Sequence, residues 1–271
     1  MFTDSHCHLV MPELAGDLPA VRAAMAAAQV TQALCISTAM EEFPQVCDLA
    51  QRFDGIWASV GVHPDQEGVH EPTEDELVAA AAHPRVIAIG ETGLDYYQME
   101  QRKGGRAIAD MEWQRARFRT HIRAARRAGK PLVIHTREAA QDTLRILREE
   151  GVGQGGSPWD KAPGVFHCFT ESQAVARAAL DMGFYLSFSG IVTFKGAREL
   201  QDVARAAPLE RILIETDAPY LAPVPMRGKI NTPAYVPYVA AKLAELRGTT
   251  PEAIGNITSA NFEALFLTGT H

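Results

Sequence analysis

The chain has 271 residues, 46% of them hydrophobic and 22% charged, an ordinary composition for a globular protein long enough to bury a substantial core. Its formal net charge of −7 argues against a protein that coats nucleic acid non-specifically. The four cysteines form no CxxC pair, and no run approaches about 18 apolar residues. We therefore expect a cytoplasmic protein with no disulfide framework and no membrane association, and the sequence indicates no obligate protein partner.

Short apolar, β-prone runs alternate with helical stretches along the chain. The predicted strands are Phe2–Ser5, Ala33–Ser37, Ile56–Val60, Val86–Gly90, Leu132–Ile134, Val165–Phe166, Tyr185–Phe188 and Ile212–Glu215. The predicted helices are Leu18–Ala28, Glu42–Gln51, Glu74–Ala81, Met111–Ala128, Glu138–Glu149, Ser172–Asp181, Arg198–Ala206, Ala234–Arg247 and Pro251–Phe266. This alternation predicts an α/β fold, a single-domain TIM (β/α)8 barrel over residues 1–271 with an extra C-terminal helix.

Six potential metal ligands follow these predicted strands, and their position favours the barrel over a doubly wound open sheet. An open sheet does not naturally bring side chains from the first, fourth, fifth, sixth and eighth strands to one centre, whereas the mouth of a barrel does. Four imidazoles and two carboxylates suit Zn²⁺, Mn²⁺ or a similar divalent ion. The six residues are His6, His8, Glu91, His135, His167 and Asp217.

The first pair of histidines illustrates the spacing. Alternate residues of a strand point to the same side, so His6 and His8 project together with Cα atoms roughly 6 to 7 Å apart. Cys7 between them points the other way and is expected to be a packed thiol. Asp4 is either an acceptor that orients an imidazole or a turn residue.

In a closed barrel the six ligands divide into two neighbouring sites. His6, His8 and Asp217 come from the first and last strands, while His135 and His167 come from the adjacent fifth and sixth. Glu91 on the fourth strand is the natural carboxylate to bridge two ions about 3.5 to 4 Å apart. Asp217 can also take a proton from an attacking water, so Glu91 and Asp217 are the predicted catalytic residues.

Several motifs occur in a characteristic order. DSHCHL, GVHP, GETGLDY, IHTREA, FHCFT, ETDAPYLAP and TSANFEALF together resemble the TatD-type metal-dependent deoxyribonucleases of the amidohydrolase superfamily, from residue 3 to about residue 266. The resemblance implies a TIM barrel, two divalent ions (Zn, Mn, Mg or Ni) and hydrolysis of DNA phosphodiester bonds. It also implies 3′→5′ exonuclease action on single-stranded DNA or 3′ ends, and a link to DNA repair. The family's ligand pattern maps onto the same six residues.

Further residues near the same strand ends are candidate substrate contacts. They are His63, Arg137, Arg227, Lys229 and Glu215. For His63 a structural imidazole is an equal alternative, and for the cationic residues a solvated loop charge is another. Glu215 should share the side of Asp217, either behind the ligands or as an extra ligand.

The chain departs from the family pattern at three places. Glu171 stands where the family usually has glycine, so it puts a carboxylate near a site expected to receive an anion. His121 stands where a helix signature has glutamine, and we expect it to be structural. The segment Gln98–Asp110 is longer than is usual. These departures leave an amidohydrolase-type esterase, lactonase or amidase acting on a small molecule as the alternative function, with a non-enzymatic scaffold as a third class.

Overall fold

The computed structural model describes residues 1–97 and 107–268, and the predicted barrel is confirmed. Eight strands form one sheet in sequence order, with every neighbouring pair parallel. The strands are β1 (Phe2–Cys7), β2 (Val30–Cys35), β3 (Ile56–Val60), β4 (Val86–Asp95), β5 (Leu132–Arg137), β6 (Gly164–Phe166), β7 (Tyr185–Phe188) and β8 (Ile212–Ile214).

The first and last strands meet just beyond β8. Cys7 and Ala218 form a parallel bridge, and the backbone N–H of His8 donates to the carbonyl of Ala218 at 2.8 Å. The N–H of Asp217 donates in the same way to the carbonyl of His6 at 3.0 Å. These bonds bring the ligand-bearing ends of the first and eighth strands together.

Helices follow the strands and cover the outside of the sheet. They are α1 (Pro12–Ala15), α2 (Leu18–Ala27), α3 (Phe43–Arg52), α4 (Glu74–Ala81), α5 (Glu112–Ala128), α6 (Ala140–Glu149), α7 (Pro158–Lys161), α8 (Gln173–Asp181), α9 (Arg198–Ala206), α10 (Val236–Arg247) and α11 (Pro251–Phe266). Short 3₁₀ turns lie at Ile108–Met111, Gly190–Thr193, Leu209–Arg211 and Pro233–Tyr235. None of the helices in the described part of the chain is long and apolar enough to cross a membrane.

The apolar residues of the strands alternate between two buried clusters, as expected for a sheet covered on both faces. Leu132 and Ile134 belong to the large cluster between the sheet and the helices, whereas Val133 belongs to a smaller cluster on the opposite face. Phe262 and Phe266 of α11 complete the smaller cluster. Asn261 donates to the carbonyls of Leu209 and Ile212 at 2.8 and 2.9 Å, which fixes this helix beside the start of β8.

Three strands extend further at their C-terminal ends than the sequence predicts. β1 continues through His6 to Cys7, β4 continues to Asp95, and β5 continues to Arg137. The polar residues at these ends do not look like strand formers, but parallel pairing holds them in the sheet, with register shifts between Asp4 and Cys7 and between Ile89 and Thr92. Of the long segment Gln98–Asp110, residues 98–106 lie outside the described residues, and Ile108 begins the 3₁₀ turn that leads into α5.

Candidate metal centre

Glu91 lies at the middle of the predicted ligand set, buried at the C-terminal end of the barrel. Its Oε2 is 3.3 Å from Nε2 of His6, while its Oε1 is 2.7 Å from Nε2 of His167 and 3.2 Å from Nδ1 of His135. The two oxygens of one carboxylate therefore face two different groups of imidazoles. This is the arrangement that a carboxylate bridging two cations requires.

The first group combines His6 and His8 of the β1 end with Asp217 after β8. The two Nε2 atoms are 3.2 Å apart, and Oδ1 of Asp217 lies 3.5 Å from the first and 3.4 Å from the second. Asp217 adopts a left-handed backbone conformation with φ 57°, which is uncommon for a residue other than glycine. The thiol of Cys7 is buried and faces the carbonyl of Leu34, so it is packed as predicted.

The second group combines His135 and His167, and each of these rings has a carboxylate behind it. Nε2 of His135 is 3.2 Å from Oδ2 of Asp95, and Nδ1 of His167 is 3.3 Å from Oε1 of Glu215. A carboxylate on one ring nitrogen holds the proton there, which leaves the other nitrogen free to bind a cation. The free nitrogens are those that face Glu91.

His63 lies beside this group, with Nε2 3.4 Å from Oε1 of Glu91. The backbone N–H of Asp65 donates to Nδ1 of His63 at 3.0 Å. Because Nδ1 accepts this bond, the neutral ring must carry its proton on Nε2. The nitrogen that faces the centre is therefore a hydrogen-bond donor, whereas in His135 and His167 the carboxylates of Asp95 and Glu215 attract the ring proton to the outer nitrogen.

The imidazoles of the centre keep the carboxyl groups of Glu91 and Asp217 ionised although both are in a buried place. Burial acts to raise the pKa of Glu91, but the imidazoles of His167, His63 and His6 hold that pKa well below its usual value. Burial likewise opposes ionisation of Asp217, yet His8 and His6 keep the pKa of this carboxyl low. Two anionic carboxylates thus persist at neutral pH in a buried place.

The donor set fits divalent cations. Three sets of ring nitrogens and carboxylate oxygens each lie within 4.8 Å of one another: His6 with His8 and Asp217, His6 with His167 and Glu215, and His63 with Glu91 and His135. At most one proton can lie between the two facing Nε2 atoms of His6 and His8. Hydrogen bonds alone therefore leave some lone pairs of these nitrogens and of Asp217 without a donor, and a cation would bind them. Nitrogen and carboxylate oxygen are ligands that Zn²⁺ and Mn²⁺ accept.

One supporting acid, Asp95, was not singled out as an orienting group by the sequence, and another, Asp4, has a different role from the two that the sequence suggested. Asp95 lies four residues after Glu91 in the same extended strand, so strand periodicity was the signal that could have found it. Asp4 orients no imidazole: it accepts hydrogen bonds from the backbone N–H and the hydroxyl of Thr216 at 2.9 and 2.5 Å. Asp4 thereby joins β1 to the segment after β8, and burial raises its pKa to about 8.

Gly93 lets β4 approach β5 closely at the centre. Its φ is 133°, and a Cβ added there would lie 2.0 Å from the carbonyl oxygen of His135. A larger residue would push His135 away from Glu91. The second glycine of GETGLDY is therefore explained by the approach of two strands.

Buried polar residues on α5 hold the backbone of the strand ends that carry His63 and Asp95. Gln114 accepts from the N–H of Asp95 at 3.0 Å and donates to its carbonyl at 3.2 Å. Arg117 donates to the carbonyl of His63 at 2.8 Å. His121 accepts from the N–H of Val62 at 3.0 Å through Nε2, while its Nδ1 donates to the carbonyl of Arg117 at 2.9 Å. His121 is structural, as predicted, and it braces one side of the centre.

A cavity of about 500 Å³ opens over the centre. Arg137 lines it, with its guanidinium 3.5 Å from the centroid of the Tyr97 ring. Arg227 and Lys229 are exposed and do not line it; Arg227 lies over the ring of Phe194 at 3.9 Å. Glu215 is buried behind His167 rather than open to substrate.

Glu171 lies in a neighbouring pocket with Glu138 and Ser172, and not in the cavity over the centre. Burial, with the nearby Glu138 carboxylate, raises the pKa of Glu171. The departure from the family pattern therefore places the carboxylate beside the cavity, one pocket away from the ligands.

Arginines of α5 form ion pairs with neighbouring helices. Arg119 and Arg123 pair with Glu149 and Glu150, and Arg127 pairs with Asp75. Arg115 and Arg117 are buried rather than solvated. These ion pairs hold α5 against α4 and the C-terminal end of α6.

The sequence and the fold are similar to those of known proteins. A family described as TatD related DNase matches residues 3–267. The metal-dependent hydrolase YcfH of Escherichia coli strain K12, described as uncharacterized, is 44% identical over 266 residues, covering 97% of this chain and 94% of that protein. The 3′-5′ ssDNA/RNA exonuclease TatD of Salmonella typhimurium is 33% identical over 271 residues, covering 97% of this chain and 98% of that protein.

A solved structure agrees with this similarity. The crystal structure of YjjV, a TatD homologue from Escherichia coli K12, superimposes with a TM-score of 0.85 at 26% identity. The match covers 98% of this chain and 97% of the other. Sequence and backbone thus point to the same set of relatives.

Proposed function

The chain belongs to the TatD related DNase family of metal-dependent hydrolases, and from this premise we propose that it is a deoxyribonuclease of the 3′→5′ exonuclease type. The proposed substrates are single-stranded DNA and 3′ ends. The observation that carries the proposal is the carboxylate of Glu91, whose two oxygens face separate groups of imidazoles on the floor of an open cavity. The exonuclease name of the Salmonella typhimurium relative supports the direction.

We propose that two divalent ions bind here, of Zn, Mn, Mg or Ni. His6, His8 and Asp217 would hold one, His135 and His167 would hold the other, and Glu91 would bridge them. When bound, such ions lower the pKa of a coordinated water and stabilise negative charge on a phosphoryl oxygen.

The protein's own groups then divide the work of hydrolysis. Asp217, kept anionic by the neighbouring imidazoles, accepts the proton of the attacking water. His63 presents an N–H to the cavity, so it donates a hydrogen bond to a phosphoryl oxygen as charge builds up there. Asp95 and Glu215 hold the rings of His135 and His167 in the orientation that leaves their other nitrogens free.

The surroundings fit a polyanion that enters end first. Arg137 at the cavity wall is proposed to contact a phosphate next to the scissile one, and the exposed Arg227 and Lys229 to contact the strand further out. The cavity has the volume of a site for one small molecule, which suits a single terminal nucleotide. The net charge of −7 is offset locally, because cationic side chains and bound ions face the substrate.

The test is turnover by metal-free protein with Mg²⁺, Mn²⁺ or Zn²⁺ added back. The substrates are 3′-labelled and 5′-labelled single-stranded DNA, with a lactone and a small amide alongside. We expect metal-restored release of mononucleotides from the 3′ end, and no release by Glu91→Gln protein prepared in the same way. Turnover of the lactone or the amide without cleavage of DNA would instead place the chain among the small-molecule hydrolases.

A further inference from the structure

An exposed aromatic ring stands at the mouth of the centre. Tyr220 lines the cavity three residues after Asp217, and 51% of its surface is accessible. Large aromatic rings are usually buried because water solvates them poorly. This ring contributes little to the core. It lies close to Asp217, a proposed metal ligand, where it can contact a bound substrate.

The backbone that carries Tyr220 is fixed. Its N–H donates to the carbonyl of Asp217 at 2.9 Å, and its carbonyl accepts from Nδ2 of Asn231 at 2.6 Å. Asn231 is fully buried and also donates to the carbonyl of Thr216 at 2.9 Å. Tyr220 is therefore held out to solvent by an ordered loop.

The residues on either side of this loop are in a costly conformation. Asp217 and Leu221 both have φ of 57°, in the left-handed region that residues other than glycine seldom adopt. Such strain persists where the surrounding structure enforces it, and it concentrates at functional sites. Here it turns Asp217 toward the ligands and Tyr220 toward the cavity within four residues.

The cavity wall around Tyr220 differs from the facing wall. Met11, Ile191 and Leu221 line it beside Tyr220, whereas Thr136 and Arg137 line the side of β5. One wall offers apolar surface next to Asp217, and the other offers a cation and a hydroxyl group. A ligand with a flat apolar part and an anionic part would span the two.

We propose that Tyr220 is a specificity-determining residue that stacks against an unpaired nucleobase next to the scissile phosphate. The inference rests on the proposed nuclease function and adds to it a means of recognising a single strand. A flat ring accepts any base, so the contact selects for an accessible base rather than for a sequence. In a duplex the faces of the base are covered by its neighbours, so a paired end must fray before it can bind.

The test is a cycle of protein and substrate variants. Wild-type and Tyr220→Ala proteins, each loaded with the same metal, are compared on a single strand and on strands with an abasic unit on either side of the scissile phosphate. Stacking predicts that Tyr220→Ala lowers kcat/KM on the normal strand by about 5- to 150-fold, with little further loss on the matching abasic strand. Tyr220→Phe should keep wild-type selectivity, because the ring remains.

Two controls separate the ways in which the idea can fail. Tyr238→Ala removes another exposed tyrosine, on α10 and outside the cavity lining. It should change kcat/KM on neither the normal nor the abasic strand. Quenching of 2-aminopurine placed at the 3′ end reports stacking without turnover, and it should fall in Tyr220→Ala but not in Tyr220→Phe. Equal loss on normal and abasic strands would overturn the stacking role while leaving the nuclease in place. Absence of metal-dependent cleavage of any DNA by the wild type would overturn both.

Discussion

The two sides of the metal centre are built differently. The β1 side is deeply buried, with the side chains of His6 and His8 0% and 5% exposed, and the Nδ1 atoms of both rings have no hydrogen-bond partner among the described residues. On the β5 side His135 is 17% exposed, and Asp95 holds its outer nitrogen. Packing orients the first pair, whereas carboxylates orient His135 and His167.

This difference indicates a division of labour around Glu91. A buried pair held by packing is rigid and is suited to retaining an ion. Rings that hydrogen-bond to carboxylates are more basic, and one of them, His135, is the most exposed of the four imidazole ligands and lines the cavity proposed to receive the substrate. His63, with its N–H toward the centre, adds a donor on the same open side.

Removing the group that both sides share should have the largest effect. Glu91→Gln keeps the shape of the side chain but takes away the negative charge that faces both sets of imidazoles. We expect turnover to fall to background and the content of bound metal, measured by mass spectrometry after dialysis, to fall at both sites. A variant that kept one ion tightly bound would show that the sides are independent. Glu245→Gln, at an exposed glutamate on α10, is the matched control.

Asp217→Asn should affect rate more than metal content. The amide retains an oxygen next to His6 and His8 but cannot accept the proton of the attacking water. We expect kcat to fall by about 10²- to 10⁴-fold with metal content close to that of the wild type. A full rate in this variant would remove Asp217 as the base, and equal losses of rate and metal would make it a ligand alone.

The carboxylates behind the β5 side can be tested against the side that has none. Asp95→Asn and Glu215→Gln should each weaken metal affinity by about 10- to 100-fold, because the rings lose the negative charge that holds their proton on the outer nitrogen. Competition with a chromophoric chelator measures this loss directly. If metal affinity is unchanged, the two sides are equivalent and the acids serve only to fill space.

The sequence predicts the convergence of the six proposed ligands better than it predicts the residues that support them, for a physical reason. His6, His8, Glu91, His135, His167 and Asp217 each follow an apolar run, so strand position alone brings them to one end of a barrel. Asp95 was missed because Glu91, Thr92 and Gly93 interrupt the apolar run, so the predicted strand ended at Gly90 whereas β4 continues to Asp95. Gln114 and His121 act through the backbone of distant strands, and nothing in local periodicity indicates which carbonyl or N–H a buried side chain will meet.

The smallest expected effect is on the stability of the hydrogen bond between His121 and the backbone N–H of Val62, next to His63. Burial lowers the pKa of His121 to about 4, so the folded protein keeps this ring neutral to accept from the N–H of Val62. The unfolded chain, with an ordinary pKa of about 6.5, takes up a proton first as pH falls. The unfolded state therefore binds more protons between these two values, and stability is lost as pH falls from about 6.5 toward 4.

His121→Gln removes this titration but keeps an amide oxygen that can accept the same bond. The fall in the free energy of unfolding between about pH 6.5 and 4 should be smaller in this variant by up to about 3 kcal/mol, measured by denaturant titration of both proteins in chelator. His83→Gln makes the same change in a partly exposed ring and is the control for the substitution itself. If the free energy of unfolding of both variants falls with pH as in the wild type, protonation of His121 does not cause the loss of stability. The loss would then come from protonation of the proposed ligands.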